Sequence, residues 1–193
     1  MTPSASHTRS NRHCNRPASQ GHSGIVAGTV LRCARLSAGV SRAELAATMS
    51  VKKEMVRAWE EGSSPLASVP LPQVATLETS LRRSGANAHL VADLTAASWC
   101  DLIVVAVADH EDITGLMADP ITRETAFSQL LTWCLAGPVP HRYLRYADPA
   151  PLLTDPRLTD QAAQTLALTG KVTLPSSQPS ASRATSRTRS EET

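Results

Sequence analysis

The 193-residue chain is expected to be all-α, with a unit of short helices at the front, a small helical region behind it, and disordered ends. Three observations point there. Between Ser41 and Gly62, apolar side chains recur at helical spacing, punctuated by a capping signal, a short turn and a stop glycine. From Asn87 onward the apolar residues keep a helical pattern. The two ends are rich in Ser, Thr and Arg and have almost nothing to bury.

In chain order, residues 1–23 form a basic arm, expected to be a solvated, disordered tail. Arg9, Arg12 and Arg16 could instead let it strengthen phosphate binding or enter a minor groove. His7, His13, His22 and Cys14 are irregularly spaced with no fold around them, so no metal site is expected.

A first helix should run from Ile25 to Ala38 and end at Gly39, with Leu31, Arg35 and Ala38 on one face. An arginine on a buried face needs a partner, because an unpaired buried charge is very costly. Glu60 is the candidate, since it falls on the inward face of a later helix with Val56 and Trp59.

Ser41 with Glu44 three residues on makes a capping box, so a second helix starts at Arg42 and carries Leu45, Ala46 and Met49 on one face. Met49-Ser50-Val51 is the turn. A third helix runs from Lys52 or Lys53 to Glu61 and is stopped by Gly62. Its outward residues are Glu54, Arg57, Ala58 and Glu61, with Lys52 and Lys53 at its N-terminal end. Two short helices joined this way are a helix-turn-helix, whose exposed second helix can enter a major groove.

These residues resemble the Cro/C1-type (XRE) helix-turn-helix domain of phage repressors and bacterial regulators, a lambda-repressor-like fold. The resemblance covers residues 30–81 and is carried by Arg35, Gly39, Ser41, Leu45-Ala46, Val51, Val56, Trp59-Glu60 and Gly62. It implies sequence-specific binding of double-stranded DNA, and it implies that Arg35 and Glu60 form a structural ion pair. Two positions depart from it. Ser50 stands where the family usually has glycine, so the turn must be made without glycine's freedom. Arg42 stands where glutamine is frequent, which keeps a phosphate contact but changes its chemistry.

After Gly62, SSPLASVPLP is a proline-punctuated loop in the place of the family's short fourth helix. Gln73 to Arg83 reads as the closing helix, with Val74, Leu77 and Leu81 toward the core. Residues 88–109 read as one long helix, although the apolar run LIVVAVA at 102–108 equally suits a buried strand. That seven-residue run is the longest of its kind, so no membrane span is expected. Asp119-Pro120 signals a helix start, with Phe127, Leu130, Leu131 and Cys134 on one face and Gly137-Pro138 as the stop. Asp155-Pro156 begins another helix reaching Leu168. Trp99 and Trp133 are expected as packing anchors, and Cys100 and Cys134 as core residues.

Charge divides the chain into the same parts. The arm over 1–23 carries net +3, the helix-turn-helix domain over 24–84 net +3, the region over 85–170 net −6, and the tail over 171–193 net +2. A basic front suits a polyanion, and an acidic rear suits dimerisation or a protein partner. The four cysteines lack metal-ligand spacing and no secretory signal precedes them, which leads to the expectation of a reduced, cytoplasmic, nucleoid-associated protein.

Enzyme motifs are not apparent. His110-Glu111 has no second histidine at zinc-protease spacing, and no phosphate-binding glycine loop or nucleophile motif occurs. Asp109, Glu111 and Asp112 read as a solvated helix end rather than a cation loop. The expected function is therefore that of a non-catalytic, sequence-specific transcriptional regulator, acting as a homodimer and without a cofactor. Arg42, Lys52, Lys53, Glu54, Arg57 and Ala58 are its candidate DNA-binding residues, with Glu54 placed to accept from a cytosine amino group and Lys53 or Arg57 to donate to a guanine. The alternatives are an antitoxin-like or ligand-sensing regulator whose residues 85–170 bind a protein partner or small molecule. The least favoured is an α/β enzyme domain built on 102–112.

Overall fold

The computed structural model describes residues 24–164, less 110, 149, 151, 154, 155, 157, 158 and 161. The arm over 1–23 and the tail over 171–193 lie outside the described residues. The helix expected from Asp155 to Leu168 lies only partly within them, where Pro156, Thr159, Asp160, Ala162, Ala163 and Gln164 are helical.

Among the described residues every regular element is helical. In order these are α1 (Ile25–Ser37), α2 (Arg42–Thr48), α3 (Lys53–Glu60), a 3-10 turn (Leu66–Ser68), α4 (Leu71–Arg83), α5 (Ala88–Ala108), α6 (Thr114–Ala118), a second 3-10 turn (Pro120–Arg123), α7 (Thr125–Ala136) and a third 3-10 turn (His141–Tyr143). Residues 102–108 are therefore the last two turns of a helix, not a strand.

α1 buries Val26, Ala27, Gly28, Val30, Leu31, Cys33, Ala34 and Arg35, more than one face of a helix can cover. It meets this by packing on two sides, most extensively against α5 and next against α3. On the α3 side the backbones touch. A Cβ at Gly28 would sit 2.4 Å from the carbonyl oxygen of Trp59, so only glycine admits this approach.

α5 is the second shared element. It buries twelve residues from Leu90 to Val107 against α1 and α7. By length and composition it could cross a membrane: an 18-residue window of it has a mean hydropathy of 1.8, and 67% of that window is buried inside the fold. The seven-residue run is the end of this 21-residue helix, in which Asp93 and Asp101 lie. One cluster of buried side chains runs from Val26 in α1 through Trp59, Leu77, Ile103 and Trp133 to Ala162, so the basic front and acidic rear share a core. Each fully buried Leu, Val or Phe in it contributes about 1.5–3 kcal/mol.

The expectation at Asp119-Pro120 is corrected. The Asp119 carboxylate does cap a first turn, accepting from the Ile121 N–H at 3.0 Å, but that turn is 3-10. Glu124 then turns extended (ψ 144°), and α7 starts afresh at Thr125. An Asp-Pro pair specifies a helical first turn but not whether the helix continues beyond it. Gly137 ends α7 in the left-handed conformation at φ 85°, as its sequence position suggests.

The rear is closed by a polar clasp. Asp93 on α5, itself buried, accepts from Arg142 Nε at 2.5 Å and from the Tyr143 hydroxyl at 2.6 Å. Arg142 also donates to Gln129 of α7 and lies over the Tyr143 ring. Burial and the neighbouring carboxylate push the Tyr143 hydroxyl well above its ordinary pKa. Trp133 is fully buried beside Tyr143, with ring centroids 5.1 Å apart, whereas Trp99 is only half-buried.

Candidate nucleic-acid interface

The local geometry of α2 and α3 begins with Ser41. Its hydroxyl accepts from the Glu44 N–H at 3.2 Å, and the Glu44 carboxylate accepts from the Ser41 N–H at 2.7 Å. Those bonds hold the Glu44 carboxyl below the usual carboxylate range. α2 leaves Leu45 and Ala46 buried, and the chain then turns through Ser50 at φ 55°. That serine carries the positive φ for which glycine is the ordinary choice, and among the described residues no other non-glycine does so.

α3 buries Val56, Trp59 and Glu60. The Arg35–Glu60 pair is present. Arg35 Nε donates to Glu60 Oε1 at 2.5 Å, Nη2 donates to Oε2 at 3.3 Å, and Nη1 donates to the Val40 carbonyl at 2.7 Å. Arg42 is also part of this network, because its Nε donates to Glu60 Oε2 at 2.5 Å. The sequence placed Arg42 on DNA phosphate; the structure places its guanidinium on Glu60, with the side chain 33% exposed. Glu60 thereby joins three helices: it belongs to α3 and accepts from an arginine on α1 and one on α2.

The remaining candidates line the outer surface of α3. Lys52, Lys53, Glu54 and Arg57 are exposed, and Ala58 is half-buried. Lys52 is the N-cap and makes no side-chain cap bond, so the amide donors of the first turn are not covered by its side chain. Arg57 donates to Glu61 one turn on at 2.7 Å, and that carboxylate raises the guanidinium's already high pKa. The pair is solvated and contributes little to stability. It does mean that the charge of Arg57 is partly answered within the helix.

One residue of this surface was not among the candidates that the sequence pattern picks out. Met55 is 44% exposed, on a helix whose other long apolar residues are buried. Its only signal in the sequence is negative, since it falls outside the Val56, Trp59, Glu60 face.

Other concavities are small. A cavity of about 320 Å³ lies between the first 3-10 turn, α4 and α5, lined by Leu66, Val74, Leu94, Trp99 and Leu102, with no charged side chain among the described residues of its wall. Among the described residues no three His, Cys, Asp or Glu side chains converge to hold a metal ion. Cys33, Cys100 and Cys134 are buried and free, and burial raises all three thiols above their ordinary pKa, Cys33 to about 12. Such thiols are poor nucleophiles and metal ligands near neutral pH. No family model, curated protein or solved structure matches the chain.

Proposed function

We propose that the chain is a non-catalytic, sequence-specific double-stranded DNA-binding regulator of the Cro/C1 helix-turn-helix type, acting as a homodimer in the cytoplasm. The observation that carries this is the contrast within α3. Its inner face is fixed to α1 and α2 by Trp59, Glu60 and two arginines, while Lys52, Lys53 and Glu54 project from its first turn and, among the described residues, their side chains make no hydrogen bond or ion pair that holds the fold. A rigid helix with unused polar side chains at its N-terminal end can rest that positive end near phosphate and present side chains to base edges. The acidic residues of 85–170 keep the rear away from the same polyanion.

The second reading, an effector-sensing regulator, is favoured by the uncharged cavity at the joint of α4 and α5. It adds a ligand to the DNA-binding reading and does not replace it.

The test is selection from a randomised duplex pool with the full chain, followed by affinity against salt. One enriched consensus is expected, with binding that weakens as salt rises. The double variant Lys52→Gln, Lys53→Gln should bind all sequences less tightly and lower the salt slope by roughly one unit per lost phosphate contact. A pool with no enriched sequence, or a slope that the double variant leaves unchanged, would count against the assignment.

A further inference from the structure

We infer that Met55, with Ala58 beside it one turn on, recognises the 5-methyl group of a pyrimidine in the major groove. This rests on α3 being the helix that enters DNA.

The outer surface of α3 divides into two strips. Glu54, Arg57 and Glu61 succeed one another at intervals of three and four residues, and Arg57 is already bonded to Glu61 at 2.7 Å. Met55 and Ala58 lie at i and i+3 on the other side, next to Glu54. The core does not use Met55: it is 44% exposed and does not belong to the apolar side chains packed against the buried cluster. The other large exposed apolar residues among those described, Leu36, Leu71, Leu102 and Leu144, lie on or beside different elements. The apolar strip therefore coincides with the first turns of the helix whose end carries Lys52 and Lys53.

Major-groove edges are otherwise polar. Guanine, adenine and unmethylated cytosine present hydrogen-bond donors and acceptors there, and thymine alone of the four standard bases presents a methyl. A carboxylate or an ammonium gains nothing from that methyl, whereas an unbranched thioether and a small alanine can close around it and exclude water. Met55 thus supplies what Lys53, Glu54 and Arg57 cannot, an apolar contact that tells thymine from cytosine. A 5-methylcytosine carries the same methyl, so two sources of one chemistry are separated by experiment.

The experiment uses the preferred duplex obtained by selection with the full chain. Each thymine is replaced singly by uracil, which removes only the methyl, and each cytosine by 5-methylcytosine, which adds it. Affinities are measured for the parent chain and for Met55→Ala, whose melting temperature should equal the parent's because the side chain is exposed. In the parent, one thymine per half-site should lose about fourfold in affinity on conversion to uracil, the size expected for one buried methyl. In Met55→Ala the same conversion should change nothing. If methylcytosine is the natural contact, one cytosine instead gains about fourfold on methylation in the parent and nothing in the variant. A preferred site with no methyl-sensitive position, or one whose sensitivity survives Met55→Ala unchanged, overturns this inference and leaves DNA binding by α3 standing. A pool with no preferred sequence overturns both.

Discussion

Glu60 and Asp101 both reach α1 from a neighbouring helix, Glu60 from α3 toward its C-terminal end and Asp101 from α5 at its N-terminal end. Both are buried, at 6% and 2% exposure. Their partners differ. Glu60 faces the guanidinium groups of Arg35 and Arg42. Among the described residues Asp101 faces no cation. Its two oxygens accept from the backbone N–H groups of Val26 and Ala27, each at 2.9 Å. Gly24, the N-cap of α1, offers no side chain for those donors, so a carboxylate 74 and 75 residues away in the sequence does the work of a local cap.

The comparison separates two ways of fixing a helix. Two full positive charges balance a buried carboxylate well, at the cost of making the buried Arg35 and Glu60 indispensable to each other. Two amides and the positive end of a helix supply roughly half a charge. That is not enough to offset the loss of water, so burial pushes the Asp101 carboxyl up to about 7 even though both N–H bonds pull it down. The seam toward α3 should therefore be sensitive to deletion, and the seam toward α5 to pH.

The largest effect should come from breaking the first seam. Glu60→Leu leaves Arg35 buried and without a counter-charge, and should cost on the order of 3–5 kcal/mol of unfolding free energy. The double change Arg35→Met, Glu60→Leu should recover most of it, because Arg42 is exposed enough to turn to water. Urea titration of the parent, the single variant and the double variant reads the loss and its recovery. A single variant as stable as the parent would mean that the network does not hold α3 to α1.

The second seam should yield a smaller loss with a pH signature. Asp101→Leu strands two amide donors and should cost on the order of 2–4 kcal/mol. Asp101→Asn keeps one acceptor and cannot titrate. The folded carboxyl binds its proton more tightly than the unfolded one, about 7 against an ordinary value of about 4. Asp101 therefore contributes most below about pH 4, and its contribution falls as pH rises to about 7 and is level above that. The stability of Asp101→Asn relative to the parent should rise across that window by on the order of 2–4 kcal/mol. A difference that stays flat from pH 4 to 7 would show that Asp101 is ionised throughout.

The two clamps also differ in how legible they were. Arg35 and Glu60 each fall on an otherwise apolar helical face, so each announces the need for a partner and the pair can be inferred. Asp101 also sits among apolar residues, in SWCDLIVV, but its partners are backbone amides, which every residue carries and no sequence marks. The helical identity of 102–108 was ambiguous for a related reason. Val104, Val105 and Val107 suit a strand locally, and the burial of Ile103, Val104, Ala106 and Val107 on more than one side of α5 is a tertiary fact. At α3 the apolar period correctly picked out Val56 and Trp59. Met55 was passed over because a period locates the core and says nothing of an apolar side chain left outside it.

The smallest effect, and the one that separates structure from function, belongs to Arg42. Arg35 alone makes two bonds to Glu60, so losing Arg42 does not strand the carboxylate. Because the Arg42 side chain is about one third exposed, its bond is partly screened, and Arg42→Gln should cost only about 1 kcal/mol. Its DNA phenotype should be small as well. A guanidinium held on Glu60 at 2.5 Å would have to give up that bond to reach a phosphate, whereas Lys52 and Lys53 give up nothing. Arg42→Gln should therefore leave the salt slope of binding where the parent has it, in contrast to the lysine double variant, which lowers it. A slope reduced by about one unit in Arg42→Gln would put Arg42 on the phosphate backbone, and the Glu60 network would then have one arm that DNA can take away.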